Sequence, residues 1–172
     1  NINAGKYKPL QSDDYKWFNK TALAYADKAT KAFPESFGAK ACKPMIENIK
    51  RIALNVTTED VNEPGKPARA LVNYNNVNKV YFRIIKTEYH KNRNLTRDHY
   101  GEKLIKKYLE EKPVASFEYT MPKDEDFNSH STEVKIPELA QGFYIVLAST
   151  SPTFSWDKQI VTYTDLWYSN IA

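Results

Sequence analysis

The stretch Val134–Ser149, VKIPELAQGFYIVLAS, decides the fold. Two alternating apolar runs meet at a Leu-Ala-Gln-Gly corner. Val134 and Ile136 share one face of the first run; Phe143, Ile145 and Leu147 share one face of the second. A period of two marks half-buried strands, because a helix would repeat its apolar positions every three to four residues. Gly142 supplies the unusual backbone angles of the crossing. Tyr144 stands where sandwich domains place a corner tyrosine, whose hydroxyl bonds back to upstream backbone. The stretch predicts a β-sandwich. That fold serves packing and binding more often than catalysis and says little about function by itself.

Further strand signals bring the count to seven. They are Ile52–Val56, Ala68–Tyr74, Val80–Thr87, Val114–Thr120, Glu133–Ile136, Phe143–Ala148 and Gln159–Tyr168. NEPGKP (62–67) and the Asn-rich run 75–78 read as turns. A polar insert between the third and fourth strands carries one helical pattern, Arg97–Glu111, with Tyr100, Leu104, Ile105, Tyr108 and Leu109 facing one way. Seven strands at this spacing fit an immunoglobulin-like sandwich.

Residues 1–50 read differently. Ser12 is placed to cap a helix, with Asp13 and Asp14 in its first turn. Tyr15, Phe18, Ala22, Tyr25, Ala26, Ala29 and Phe33 then recur at helical spacing, and Pro34 ends the run. Ser36 caps a second helix with an apolar stripe of Cys42, Met45, Ile46 and Ile49. Pro44 predicts a kink or a late start there. The expectation is a helical hairpin over 1–50 and a sandwich over 51–172.

Composition narrows the function classes. The 172 residues suffice for one domain with a real core, or a domain with a small appendage. A net charge of +4 comes from basic residues scattered among acids rather than from a stripe, which argues against nucleic acid. The five glycines form no phosphate-binding string. No stretch is apolar for long enough to span a bilayer. A chain opening on Asn1 is expected to be an excised or processed piece of a longer protein.

The candidate chemical residues read as structural. Cys42, the one cysteine, lies on an apolar stripe and is expected to be a buried, inert thiol. His90, His99 and His130 lack metal-ligand spacing. Ser129, His130, Ser131 and Glu133 are neighbours on an extended segment, so they alternate in direction and do not form a triad; a local hydrogen bond is expected of His130. The acids of PKDEDF (122–127) lack the glycine and terminal Glu of a calcium loop. Asn19, Asn55 and Asn94 open glycosylation sequons, which matter only in a eukaryotic secreted protein. No catalytic residue, cofactor site or metal ligand is assigned, and the chain is read as not an enzyme. An interaction surface is placed at Phe154, Trp156, Trp167 and Tyr168.

Three strings carry a family resemblance: RALVNYNNVNKVYFRIIK (69–86), DEDFNSHSTEVKIPELAQGFYIVLAS (124–149) and YTDLWYSNIA (163–172). Together with FGAKACKPMIENIK (37–50), they resemble the bacterial alpha-2-macroglobulin family in its large Bacteroidetes form. The likeness covers roughly residues 37–172. It implies a macroglobulin-type sandwich preceded by a helical piece, from the N-terminal part of a periplasmic or cell-surface, membrane-anchored proteinase inhibitor. The family's reactive thioester needs a C-x-E-Q string. Cys42 is followed by Lys43, Pro44 and Met45, so the thioester does not carry over, and neither does a bait region. The implied partners are adjacent domains of the same chain, and proteinases through the whole protein, with no nucleic acid and no direct membrane insertion. The alternative is a free-standing extracytoplasmic binding module, for instance for glycans, that uses Phe154, Trp156 and the insert at 88–112.

Overall fold

The computed structural model describes residues 6–8, 11–156 and 160–170. In chain order the elements are α1 (Phe18–Ala32), α2 (Phe37–Lys50), β1 (Ala53–Thr58), β2 (Ala68–Asn75), β3 (Lys79–Thr87), α3 (Tyr89–Asp98), α4 (Gly101–Glu110), β4 (Ala115–Thr120), β5 (His130–Ile136), β6 (Gly142–Ser149) and β7 (Val161–Tyr168). The chain is mainly β, with seven strands and four helices among the described residues. It forms two compact units. One runs up to Ala53 and takes in Tyr74–Asn76 and Pro122–His130; the other holds Leu54–Asn73, Val77–Met121 and the chain from Ser131 on.

The second unit carries two sheets, one in the order β1-β2-β5 and the other β4-β3-β6-β7. Alternation along the strands sorts the side chains between faces. Val56, Ala70, Val72, Val134 and Ile136 from the first sheet, with Val80, Phe82, Ile84, Val146 and Leu166 from the second, are all buried. They form the core between the sheets, as alternating inner positions do in a sandwich. Phe82 stacks on Phe117 at 4.9 Å, across the register that pairs the two residues.

The corner that decided the fold closes as expected. The Tyr144 hydroxyl donates to the Ala140 carbonyl at 2.8 Å. Gly142 sits at φ +154°, where a Cβ would meet Lys86 at 3.1 Å and the Tyr144 ring at 3.4 Å. The glycine is needed both for its angle and for the tyrosine's close approach. Leu139, half-buried, accepts a hydrogen bond from the Gly65 N–H through its carbonyl at 2.9 Å.

β6 departs from a half-buried strand. Every residue from Phe143 to Ser149 is buried. Tyr144, Val146 and Ala148 serve the core between the sheets. Phe143, Ile145 and Leu147 face the other way and join Ile85, Leu104, Ile105, Tyr108, Phe154 and Val161 in a second apolar cluster. The cause is the insert, since α4 lays Leu104, Ile105 and Tyr108 over that face of the sheet. The insert holds two helices where the periodicity predicts one. His99 and Tyr100 are extended, and Gly101 adopts φ +56°, which breaks the helix. α3 has a single buried residue, Asn92, which accepts from the Tyr108 hydroxyl at 2.7 Å, so it offers no apolar stripe to read. Tyr100 is exposed rather than aligned with α4's buried face.

In the first unit α1 packs on α2. α1 starts at Phe18 rather than beside Ser12, whose hydroxyl accepts from the Asp14 N–H without opening a helix. Tyr15, at φ +66°, interrupts the chain between them. Leu23 and Ala26 are the buried residues of α1, and most of its predicted apolar stripe is exposed. Ser36 caps α2 as expected, accepting from the Ala39 N–H at 3.1 Å. α2 runs through Pro44 without a break in its assignment. At the far end of α2, Asn76 (φ +53°) donates from its amide to the carbonyls of Ile49 and Arg51, satisfying groups that a helix end leaves open. The sequence signals at 1–5, 9–10, 157–159 and 171–172 lie outside the described residues.

Candidate interaction surfaces

β7 decides which predicted surface residues reach solvent. Its register with β6 pairs Trp167 with Phe143, Asp165 with Ile145 and Tyr163 with Leu147. Directly opposed residues share a face, so Tyr163, Asp165 and Trp167 lie on the insert side of the sheet. All three are exposed. Leu166 and Tyr168 point into the core between the sheets, and the Tyr168 hydroxyl donates to the Pro137 carbonyl at 3.3 Å.

Two of the four predicted surface residues are therefore corrected. Tyr168 is fully buried because it alternates with Trp167. Phe154 is buried because its φ of +52° turns the ring into the second apolar cluster, with the Arg83 guanidinium 4.5 Å over it. Trp156 and Trp167 remain exposed, at 43% and 40%. Trp167 is not alone. Tyr89, the first residue of α3, stacks on it at 5.3 Å, and Phe143 meets both rings edge-on. Tyr163 lies 5.5 Å from the Tyr108 ring. The sequence gives no cue that Tyr89 and Tyr108 belong here, because the insert must fold back over the sheet to bring them.

Within the first unit, the loop 122–130 forms a polar latch. His130 holds Asp126 through Nε2 at 2.8 Å and faces Asp124 through Nδ1 at 3.6 Å. The Tyr74 hydroxyl donates to Asp124 at 3.1 Å, and the Asn128 N–H donates to Asp126 at 2.9 Å. Asn128 donates from its amide to the Lys16 carbonyl, and Asn19 of α1 donates to Phe127 and to Asn128. Asp126 is fully buried, and its Oδ2 has no hydrogen-bond partner among the described residues. Burial pushes its carboxyl up, but the Asn128 N–H, the His130 ring and the Asn128 amide outweigh burial and hold it below the usual aspartate value. Both nitrogens of His130 face acids, so the ring makes the expected local hydrogen bond and meets no nucleophile.

α1 and α2 present an apolar face. Tyr25, Phe33 and Phe37 are 72%, 69% and 89% exposed. Tyr25 lines a groove of about 550 Å³ with Phe18, Ala22, Ala26, Ala29, Cys42 and Met45, while Phe33 and Phe37 stand at the turn between the helices. Cys42 is thus half-buried on a groove wall rather than sealed in a core. Among the described residues no group of three His, Cys, Asp or Glu side chains could hold a metal ion, and no helix is long and apolar enough to cross a membrane.

No family model matches the chain, and no curated protein matches it. Among solved structures, the chain is similar to the CARDB domain of a Pyrococcus furiosus protein in complex with di-metal ions. That match has 11% identity and a TM-score of 0.38, covering 69% of this chain and 88% of that one. It is also similar to an ASH / PapD-like domain of human CEP192, at 9% identity and a TM-score of 0.30, covering 71% of this chain and 86% of that one. Likeness at this level transfers no function.

Proposed function

We propose that the chain is a non-catalytic, immunoglobulin-like macroglobulin-type domain with a helical hairpin ahead of it, from an alpha-2-macroglobulin-like proteinase inhibitor of the Bacteroidetes type. Its work is mechanical: it packs on neighbouring domains of a larger periplasmic or cell-surface protein and helps frame the space around a captured proteinase. The observation that carries this reading is the bare apolar face of α1 and α2. Large side chains at Tyr25, Phe33 and Phe37 leave most of their surface in water. Exposed apolar side chains of this size, Tyr25 among those lining the α1–α2 groove, support an interaction site. The strings that carry the family resemblance fall on β2, β3, β5, β6 and β7, the packing strands of the sandwich.

The glycan-binding alternative uses Phe154, Trp156 and the insert at 88–112. With Phe154 in the core, Trp156 would act without that partner.

The reading is tested with proteinases. The full-length protein should reduce cleavage of a large protein substrate by a panel of endopeptidases, and this chain alone should leave every rate unchanged. Inhibition by the chain alone would overturn the reading, as would a full-length protein with no effect on any member of the panel.

A further inference from the structure

The exposed side of β7 holds a carboxylate between aromatic rings. Asp165 is flanked at two residues' distance by Tyr163 and Trp167, on the same face. Each flanking ring is doubled by one from the insert, Tyr108 beside Tyr163 at 5.5 Å and Tyr89 on Trp167 at 5.3 Å. Ile145 stands opposite Asp165 across the strand pair and is fully buried, so the notch has an apolar back.

None of the ion pairs or side-chain hydrogen bonds among the described residues engages this carboxylate. Within the insert, Glu102, Glu110 and Glu111 are paired with lysines, whereas Glu59, Asp60 and Glu88 show no ion pair among the described residues either. Although Asp165 is exposed, partial desolvation by its surroundings pushes its carboxyl above the usual aspartate value, and no ion pair among the described residues offsets it. An unpaired charge held where ionisation is disfavoured costs stability, and such costs concentrate at functional positions.

We infer that the notch formed by Tyr163, Asp165 and Trp167, with Tyr108 and Tyr89 behind them, receives an arginine side chain from a polypeptide partner. Charge complementarity selects a cation. The aromatic walls select a planar one, because guanidinium stacks on rings while its N–H fork bonds a carboxylate in two places. Residues two apart on a strand lie about 7 Å apart, so a cation seated on Asp165 comes within stacking reach of a flanking ring, which extends to about 6 Å. The inference does not depend on the macroglobulin reading.

The test is a titration of the ¹⁵N-labelled chain at pH 7.5 and low salt with acetyl-Gly-Arg-Gly-amide. The readout is the indole N–H signal of Trp167. Controls are the citrulline peptide, which keeps the shape and loses the charge, and guanidinium chloride. The arginine peptide should shift Trp167 saturably. The citrulline peptide, and the arginine peptide on Asp165→Asn, should bind about tenfold more weakly or worse. Trp167→Leu, read at Tyr163, should also weaken binding. Unchanged signals for Trp17 and for the Tyr144 amide in the variants show that the fold is intact. No saturable shift at Trp167, equal binding of the citrulline peptide, or full binding by Asp165→Asn overturns the inference. Guanidinium ion binding as tightly as the peptide overturns the assignment to a polypeptide side chain.

Discussion

The Tyr144 hydroxyl donates to the carbonyl of Ala140, four residues upstream, at 2.8 Å, and the ring that carries it lies against Gly142. The bond ties the start of β6 to the corner that precedes it. Tyr144→Phe removes the donor and keeps the ring. It should cost about 1 kcal/mol, read as a lower urea midpoint with an unchanged slope. Gly142→Ala should cost more, because a Cβ there meets both the Lys86 stem and the ring at an angle that L-residues rarely adopt. A glycine variant as stable as the parent would mean that the corner relaxes freely.

The latch at 122–130 should be acid-sensitive. Asp126 is held below its ordinary value of 3.8 in the folded chain. A group depressed in this way contributes stability that is complete above the unfolded carboxyl's range. That stability is lost as pH falls through the folded value. Asp126→Asn should lower stability at pH 7 by about 1–3 kcal/mol, the cost of a disrupted buried hydrogen-bond set. Relative to the parent, it should also flatten the acid limb of a stability-against-pH curve. Amide exchange should speed up first at Phe127 and Asn128.

Asp165 has the opposite sign. Its carboxyl is raised by partial desolvation, so its contribution is full below the ordinary value and lost as pH rises through the folded one. Asp165→Asn should raise the melting temperature at pH 7 and leave it unchanged near pH 3, where the aspartate is already neutral. A variant that is less stable at pH 7 would mean that the carboxylate has a favourable partner after all.

Pro44 lies on the exposed side of α2, well inside the helix. It lacks an N–H for the carbonyl one turn back. Pro44→Ala should restore that bond and raise stability, with about 3 kcal/mol as the upper bound set by helix propensity. Thermal melts of the pair of proteins decide it.

Much of the sandwich was legible because its signal is local. Alternation placed all seven strands to within a few residues, and the spacing of Gly142 and Tyr144 announced the corner. Ser36 was readable as a cap for the same reason. The legible part ends where a long-range contact decides. The covered outer face of β6 depends on α4, and nothing in FYIVLAS says what lies over it. Phe154 was misplaced because a single left-handed residue reverses the direction of its side chain. Trp167 and Tyr168 were grouped as one surface although strand alternation separates them, an error correctable from the sequence alone. The latch was invisible as a unit, since its members come from α1, β2 and the loop before β5. Tyr89 and Tyr108 joined Trp167 and Tyr163 only through the fold of the insert.

The central claim is that the bare face of α1 and α2 is built to be covered by neighbouring parts of a longer protein. Hydroxyl-radical footprinting of Tyr25, Phe33 and Phe37 tests this most directly, comparing this chain alone with the full-length protein. The account predicts fast labelling of all three in the chain and about tenfold protection in the full-length protein, consistent with rings passing from open water to a packed interface. Equal labelling in both would contradict it, because a face that stays bare in the whole protein has no neighbour to pack on.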